Sequence, residues 1–346
     1  MFSVPSRFKG DRYVDVDKAD IFEDRASESK ARLAALRADL AARIGSVEHR
    51  FDDPEVCIYA TGSLAREEAT AHSDLDAFFL LSGHRADKRL GRIRDVKILS
   101  AVVTAAESAK FPDFSNDGEY LRFLHIGDII DHLGSRHDDY HNMFTARMLM
   151  ILESRYLYNQ DAYRRFRNQI ISAYFRDFHD HAKNFRPVFL LNDVLRFWRT
   201  LCINYEHARQ WREDTSERAA KGHLGNLKLR FSRLCICYSF IAYLLSKGRP
   251  LSADDVVDTA ELTPLERLRR LGADDPSVNE TVGMLLDKYA WFLEHVGREK
   301  DTVLHWIANQ ENRDAAFAES RDFVEGMVSL VQHTAEKHGY LRYLII

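Results

Sequence analysis

Between two short apolar runs, VCIYA at 56–60 and AFFLL at 77–81, lies the stretch GSLAREEATAHSDLD at 62–76. Each run has the length of a buried strand and is too short for a helix, so the chain should make strand, connection and strand here. The first run ends on Thr61-Gly62-Ser63, a turn signal, and the second is preceded by Ser73-Asp74-Leu75-Asp76. Strand side chains alternate, so Asp74 and Asp76 share a face if both belong to the strand, and such a carboxylate pair can share a divalent metal. Gly62 lets a ligand approach the backbone closely. Residues 64–71 are good helix formers with Ser63 as N-cap, and the free N–H groups of such a helix start, with Ser63, can hold phosphate oxygens.

A Gly-Ser pair followed ten residues later by Asp-x-Asp, each beside a strand-like run, resembles the signature of the nucleotidyltransferase superfamily typified by DNA polymerase beta. Within that superfamily the string is most similar to the bacterial branch containing the uridylyltransferase of nitrogen regulation. The resemblance covers the first half of the chain, to about Asn159. It implies an α/β (α+β) catalytic domain with a small mixed sheet, followed by an all-α helical domain. It also implies a metal-dependent enzyme that binds a nucleoside triphosphate, ATP or UTP, with Mg²⁺ or Mn²⁺ on Asp74 and Asp76. Gly62, Ser63, Arg66 and Ser73 would lie on the phosphate side, although an exposed surface arginine is an equally good reading of Arg66.

The superfamily takes a third carboxylate from a neighbouring strand, since a two-metal site needs ligands for both ions. Asp113 is the first choice, an acid among apolar neighbours in a short strand expected at 111–115; a buried carboxylate there would be costly without a metal or donor. Asp117 and Glu119 are the rivals, and Asp117 is also explained by the turn signal Asn116-Asp117-Gly118. In the helical half, NLKLRFSR at 226–233 alternates basic and apolar residues. Lys228 and Arg230 are candidates for the triphosphate by the same resemblance, and a solvated basic face is the competing reading. At 3.6 residues per turn Asn226, Arg230 and Arg233 share a stripe from which Lys228 is displaced.

The 346 residues suggest two domains with their own cores. The divisions read are 1–50, a leading segment and helix packing on the sheet; 51–159, the catalytic domain; and 160–346, the helical domain. After the core strands, a helix is expected at 87–109 and strands at 111–115 and 119–126. From Gly127 onward the pattern is almost wholly helical, with helices at 161–182, 187–212, 221–247, 253–271, 277–297 and 312–338. In the helix around LLNDVLRFWRT, Asp193, Arg196 and Arg199 sit among apolar residues, which points to a structural polar network between the two domains.

A net charge of −4 argues against a general nucleic-acid surface and disfavours RNA ends as the acceptor. No apolar stretch reaches the ~18 residues of a membrane span and no signal-peptide core is seen, so a cytoplasmic protein without a membrane partner is expected. Cys57, Cys202, Cys235 and Cys237 lack zinc-site spacing and read as reduced, buried thiols. The histidines around His137 and His141 read as surface residues. The acceptor is open between a protein side chain, a second nucleotide and a small molecule. A catalytically weak nucleotide-binding or partner-binding regulatory module, such as part of a toxin or defence system, is the reading from a different class.

Overall fold

The computed structural model describes residues 18–48, 54–86, 92–114, 118, 121–181, 185–210, 216–248 and 250–344. A long helix, α1 (Lys18–Glu48), leads to β1 (Val56–Thr61), the one-turn α2 (Gly62–Ala65), β2 (Asp76–Leu81) and α3 (Arg92–Ser108). Then come β3 (Phe123–His125), α4 (Ile126–Asp131), α5 (Met143–Leu152) and β4 (Arg155–Tyr158). The rest is helical: α6 (Gln160–Ala173), α7 (Phe178–His181), α8 (Val188–Gln210), α9 (Ser216–Lys228), α10 (Leu234–Ser246), α11 (Ala253–Glu261) and α12 (Pro264–Asp274). It closes with α13 (Asn279–Val296), α14 (Lys300–Ala308), α15 (Gln310–Lys337) and α16 (Leu341–Leu344). A small mixed sheet with helices followed by a helical part is the expected fold class.

The sheet runs β3-β2-β1-β4, with β1 antiparallel to both neighbours and β2 parallel to β3. Every residue of β1 is buried because both faces of the sheet are covered. Val56, Ile58, Ala60, Phe79 and Leu81 pack with Leu33, Leu36, Leu40 and Ile44 of α1 and with Ile98 and Val102 of α3. On the other face Cys57, Tyr59 and Leu80 join a larger core that continues into the helices. The apolar period of α1 read from the sequence is thus the stripe that covers the sheet.

The helical part is centred on aromatic residues, with Phe231 stacked on Phe292 at 4.7 Å between centroids. Phe231 lies in a π-helical turn, Leu229–Arg233, which joins α9 and α10 into one helix of 31 residues, Ser216–Ser246. Among the described residues this helix is long and apolar enough to cross a membrane, and most of its apolar window is buried in the core. The basic residues between 228 and 233 hide that length from a reading of apolar runs.

Several boundaries differ from expectation for identifiable reasons. The helix expected at 64–71 is only the single turn of α2, with Thr61 rather than Ser63 at its N-cap. Glu67 adopts φ +63°, a left-handed conformation that ends the turn. Residues 111–114 form no strand, and β3 is confined to 123–125. Chain expected to be helical through 158 turns at Glu153 and adds β4 to the sheet edge, because Arg155–Tyr158 finds open β1 hydrogen-bonding groups. The span 253–271 is broken at Leu262-Thr263, where Thr263 caps α12 through a reciprocal bond with Glu266 and Pro264 starts the helix. The helix expected at 161–182 stops at Ala173, and α14 forms in a stretch, 298–311, where no helix is expected. Residues 1–17, the start of the helix expected at 87 and the turn at 116–117 lie outside the described residues.

Candidate active site

A cavity of about 480 Å³ opens at the edge where β1 ends and β2 begins, and is closed on its other side by the helices. Its sheet side is Gly62, Ser63, Arg66, Ser73, Asp74 and Asp76, with Asp113 on the rim. Its helical side carries Lys221, Lys228, Ser232 and Arg233 from the long helix and Phe292, Leu293, Val296, Lys300 and Val303 from α13, α14 and their connection. Its lining thus combines acids from the sheet side with cations and apolar residues from the helical side.

The antiparallel register explains the sheet side. Thr61 is paired with Asp76, so the Gly-Ser turn at the end of β1 sits beside the acid that begins β2. Gly62 has φ +73°, and a Cβ at this position would come within 2.7 Å of Asp76 Oδ2. Only a residue without a side chain allows that approach, so turn and acid form one structural unit. Asp74 precedes the strand rather than lying in it, yet lines the same cavity.

Solvent reaches the Asp76 side chain at the cavity, but the walls around it desolvate the carboxylate and, with the neighbouring Asp74 carboxylate, push it up to about 6. Two neighbouring carboxylates on one cavity wall make a fitting donor pair for a divalent cation, which would offset the repulsion that Asp76 feels from Asp74. Among the described residues no group of three His, Cys, Asp or Glu side chains is arranged to hold a metal. Asp113 lines the cavity from an exposed, irregular segment instead of the buried strand expected for it. Asp117 and Glu119 lie outside the described residues.

Arg66 lines the wall, but its guanidinium is occupied. Its Nε donates to Glu68 Oε2 at 2.7 Å and its Nη1 donates to Glu153 Oε2. Glu153 Oε1 accepts from Arg233 Nη1 at 2.9 Å, and Glu68 Oε1 accepts from the Tyr289 hydroxyl at 2.7 Å. Arg66, Glu68 and Glu153 are all buried, and this network joins the Gly-Ser turn to the end of α5, the π turn and α13. Burial pushes the Glu68 carboxyl up, against the pull of Arg66 and Tyr289. Ser73 also lines the cavity, where its hydroxyl accepts from the Thr70 amide at 3.0 Å and braces the loop before the acids.

Lys228 lines the cavity and Arg230 does not. Arg230 donates to Asn226 at 3.0 Å and lies over the Phe317 ring, away from the acids. Solvent reaches Lys228 through the cavity mouth, but the walls surround it closely enough that desolvation lowers its pKa, opposed by Asp74. Sequence reasoning missed Glu153, Arg233, Lys221 and Lys300. The spacing Lys221, Gly225, Lys228, Ser232 is a stripe at steps of four, three and four that could have revealed the helical wall. Glu153, a lone acid closing an apolar helix, carried the signal of a buried charge in need of partners.

The second buried polar group, expected around Asp193 and Arg196, is present on those residues, apart from the cavity. Arg147 reaches Asp138 at 2.5 and 2.9 Å and Asp193 at 3.0 Å, while the Tyr174 hydroxyl donates to Asp193 at 2.7 Å. Arg196 reaches Asp138 at 2.9 Å and Asp139 at 2.7 Å. None of these residues lines the cavity.

Residues 19–104 match the family model described as "Putative nucleotidyltransferase DUF294". The matched segment runs from α1 through the Gly-Ser turn and both acids into α3. This supports a nucleotidyltransferase superfamily and does not select the uridylyltransferase branch. No curated protein matches the chain.

Proposed function

We propose that the protein transfers a nucleoside monophosphate from a nucleoside triphosphate to a hydroxyl acceptor with release of pyrophosphate. The observation that carries this reading is the contact of Gly62 with Asp76, which makes a phosphate-sized turn and a metal-type acid pair one site. Asp74 and Asp76 would hold Mg²⁺ or Mn²⁺, which would neutralise phosphate charge and lower the pKa of the acceptor hydroxyl. Ser63 and the backbone of the Gly-Ser turn bind phosphate oxygens, Lys228 and Arg233 bind them from the opposite wall, and the closed helical side excludes water from the reacting phosphorus. The apolar lining formed by Phe292, Leu293, Val296 and Val303 suits a nucleobase, ATP or UTP being the donors proposed. A protein side chain or a second nucleotide is the acceptor.

One observation favours a second reading, a nucleotide-binding regulatory module with weak or no turnover: the absence of a three-acid cluster among the described residues. A single experiment separates them. Pure protein with magnesium and each α-labelled triphosphate should release pyrophosphate and give labelled product, and Asp74→Ala with Asp76→Ala should abolish both. Label transfer undiminished in the double variant refutes the first reading, and nucleotide binding without pyrophosphate release favours the second.

A further inference from the structure

We infer that Glu153 is a positioning residue whose buried carboxylate fixes the Arg233 guanidinium on the cavity wall, beside Lys228, in the orientation that receives an oligophosphate. This rests on reading the cavity as a triphosphate site. On a regular α-helix five residues turn through about 500°, which leaves residues five apart ~140° out of line. Lys228 and Arg233 would then face different surroundings. The π turn Leu229–Arg233 changes this, because its i→i+5 bonding stacks residues five apart on one side. Both cations consequently line the cavity, while Arg230 points elsewhere.

Glu153 supplies the orientation. Its side chain is fully buried and accepts Arg66 Nη1 on one oxygen and Arg233 Nη1, at 2.9 Å, on the other. Arg233 is 36% exposed, so one edge of its guanidinium is held by a rigid acceptor while the remainder faces the cavity. A planar five-donor fork held along one edge presents its other edge in a fixed direction, which a freely rotating ammonium does not. Arg66 is locked in turn by Glu68, which Tyr289 holds. The carboxylate that seats Arg233 is therefore itself seated by the turn that carries Gly62 and Ser63.

The sign of one substitution separates this role from simple electrostatics. Glu153→Gln removes a negative charge from the wall of an anion site, which by Coulomb attraction alone should tighten anion binding. A positioning role requires the opposite. Titrating the full chain with inorganic tripolyphosphate in magnesium buffer by calorimetry should show affinity weakened by about tenfold or more in Glu153→Gln, in Arg233→Gln and in the charge-preserving Arg233→Lys. In the Arg233→Gln background, Glu153→Gln should add little, since the two act through one interaction. Affinity unchanged or improved in Glu153→Gln, a full additional loss in the double variant, or unchanged affinity in Arg233→Lys each overturns the inference. If Glu153→Gln fails to fold, the half-exposed Arg233→Lys decides alone. Failure of the unsubstituted chain to bind tripolyphosphate overturns the triphosphate reading itself, an outcome distinct from the others.

Discussion

Two buried charge networks in this molecule use the same parts to different ends. Each centres on a buried arginine, Arg66 or Arg147, held by two carboxylates with a tyrosine hydroxyl on one of them, and each includes a second, partly exposed arginine, Arg233 or Arg196. The Arg147 group ties α5 to α8 and to the chain before α5, and its outer arginine turns to Asp139 and the Phe144 ring. The Arg66 group lies under the cavity, and its outer arginine opens onto it. Burial and pairing are alike in the two, so neither marks function. What distinguishes them is where the last cation points.

The comparison can be broken by substitution, and the largest effect falls on chemistry. On the proposed function Asp76→Asn should lower nucleotidyl transfer by about 10²–10³-fold or more, because several kcal/mol of metal-assisted charge stabilisation would depend on it. Its melting temperature should be unchanged or higher, since the site holds an acid that desolvation disfavours; radiolabel transfer and calorimetry check the two parts. Arg147→Met should do the reverse, destabilising by ~3–5 kcal/mol in denaturant unfolding while the folded fraction binds nucleotide normally. A binding defect in folded Arg147→Met would erase the distinction drawn between the networks. Gly62→Ala should cost about 1–3 kcal/mol through its positive φ, and should also weaken magnesium binding because the new Cβ displaces Asp76. Tyr289→Phe is the mildest, costing roughly 1 kcal/mol of stability with tripolyphosphate affinity retained.

A pH series sharpens the same contrast. The Asp76 carboxyl is raised from 3.8 to about 6 in the folded protein, so the native state binds its proton more tightly than the unfolded chain does. Its contribution therefore falls as pH rises from about 4 through about 6, and affinity for the proposed metal should grow over the same window. Asp138 is displaced the other way, since its bonds to Arg147 and Arg196 outweigh burial and hold its carboxyl low. That network should lose its contribution as pH drops below the ordinary carboxylate range. Unfolding of Asp76→Asn measured from about pH 2 to about pH 7 should lack the first trend and keep the second.

The sheet and the acid pair were legible in the sequence because they are local. A run such as VCIYA has one comfortable conformation, and Gly62 through Asp76 bring their chemistry within fifteen residues. The larger helices were equally legible from their apolar period. What escaped depended on distance. Arg66 meets Glu153 87 residues away and Tyr289 meets Glu68 across 221, and no pattern in either segment announces its partner. β4 escaped because RYLY becomes a strand only through the open edge of β1. The π turn escaped because its residues are good α-helix formers, and the altered hydrogen bonding reflects what the helix must present on each side. Asp113 escaped because the phenylalanines on either side of it turn inward, Phe111 becoming buried, while Asp113 itself stays exposed on an irregular segment.

A π turn amounts to one residue accommodated within a helix that otherwise keeps its phase. Loss of a single codon between 229 and 233 would let α9 and α10 fuse as a regular helix with both flanks in their present phase, and would leave Lys228 and Arg233 four apart, still neighbours on one face. The pairing of the two cations therefore survives the smallest possible change in length at this place, provided that neither of them is the residue lost.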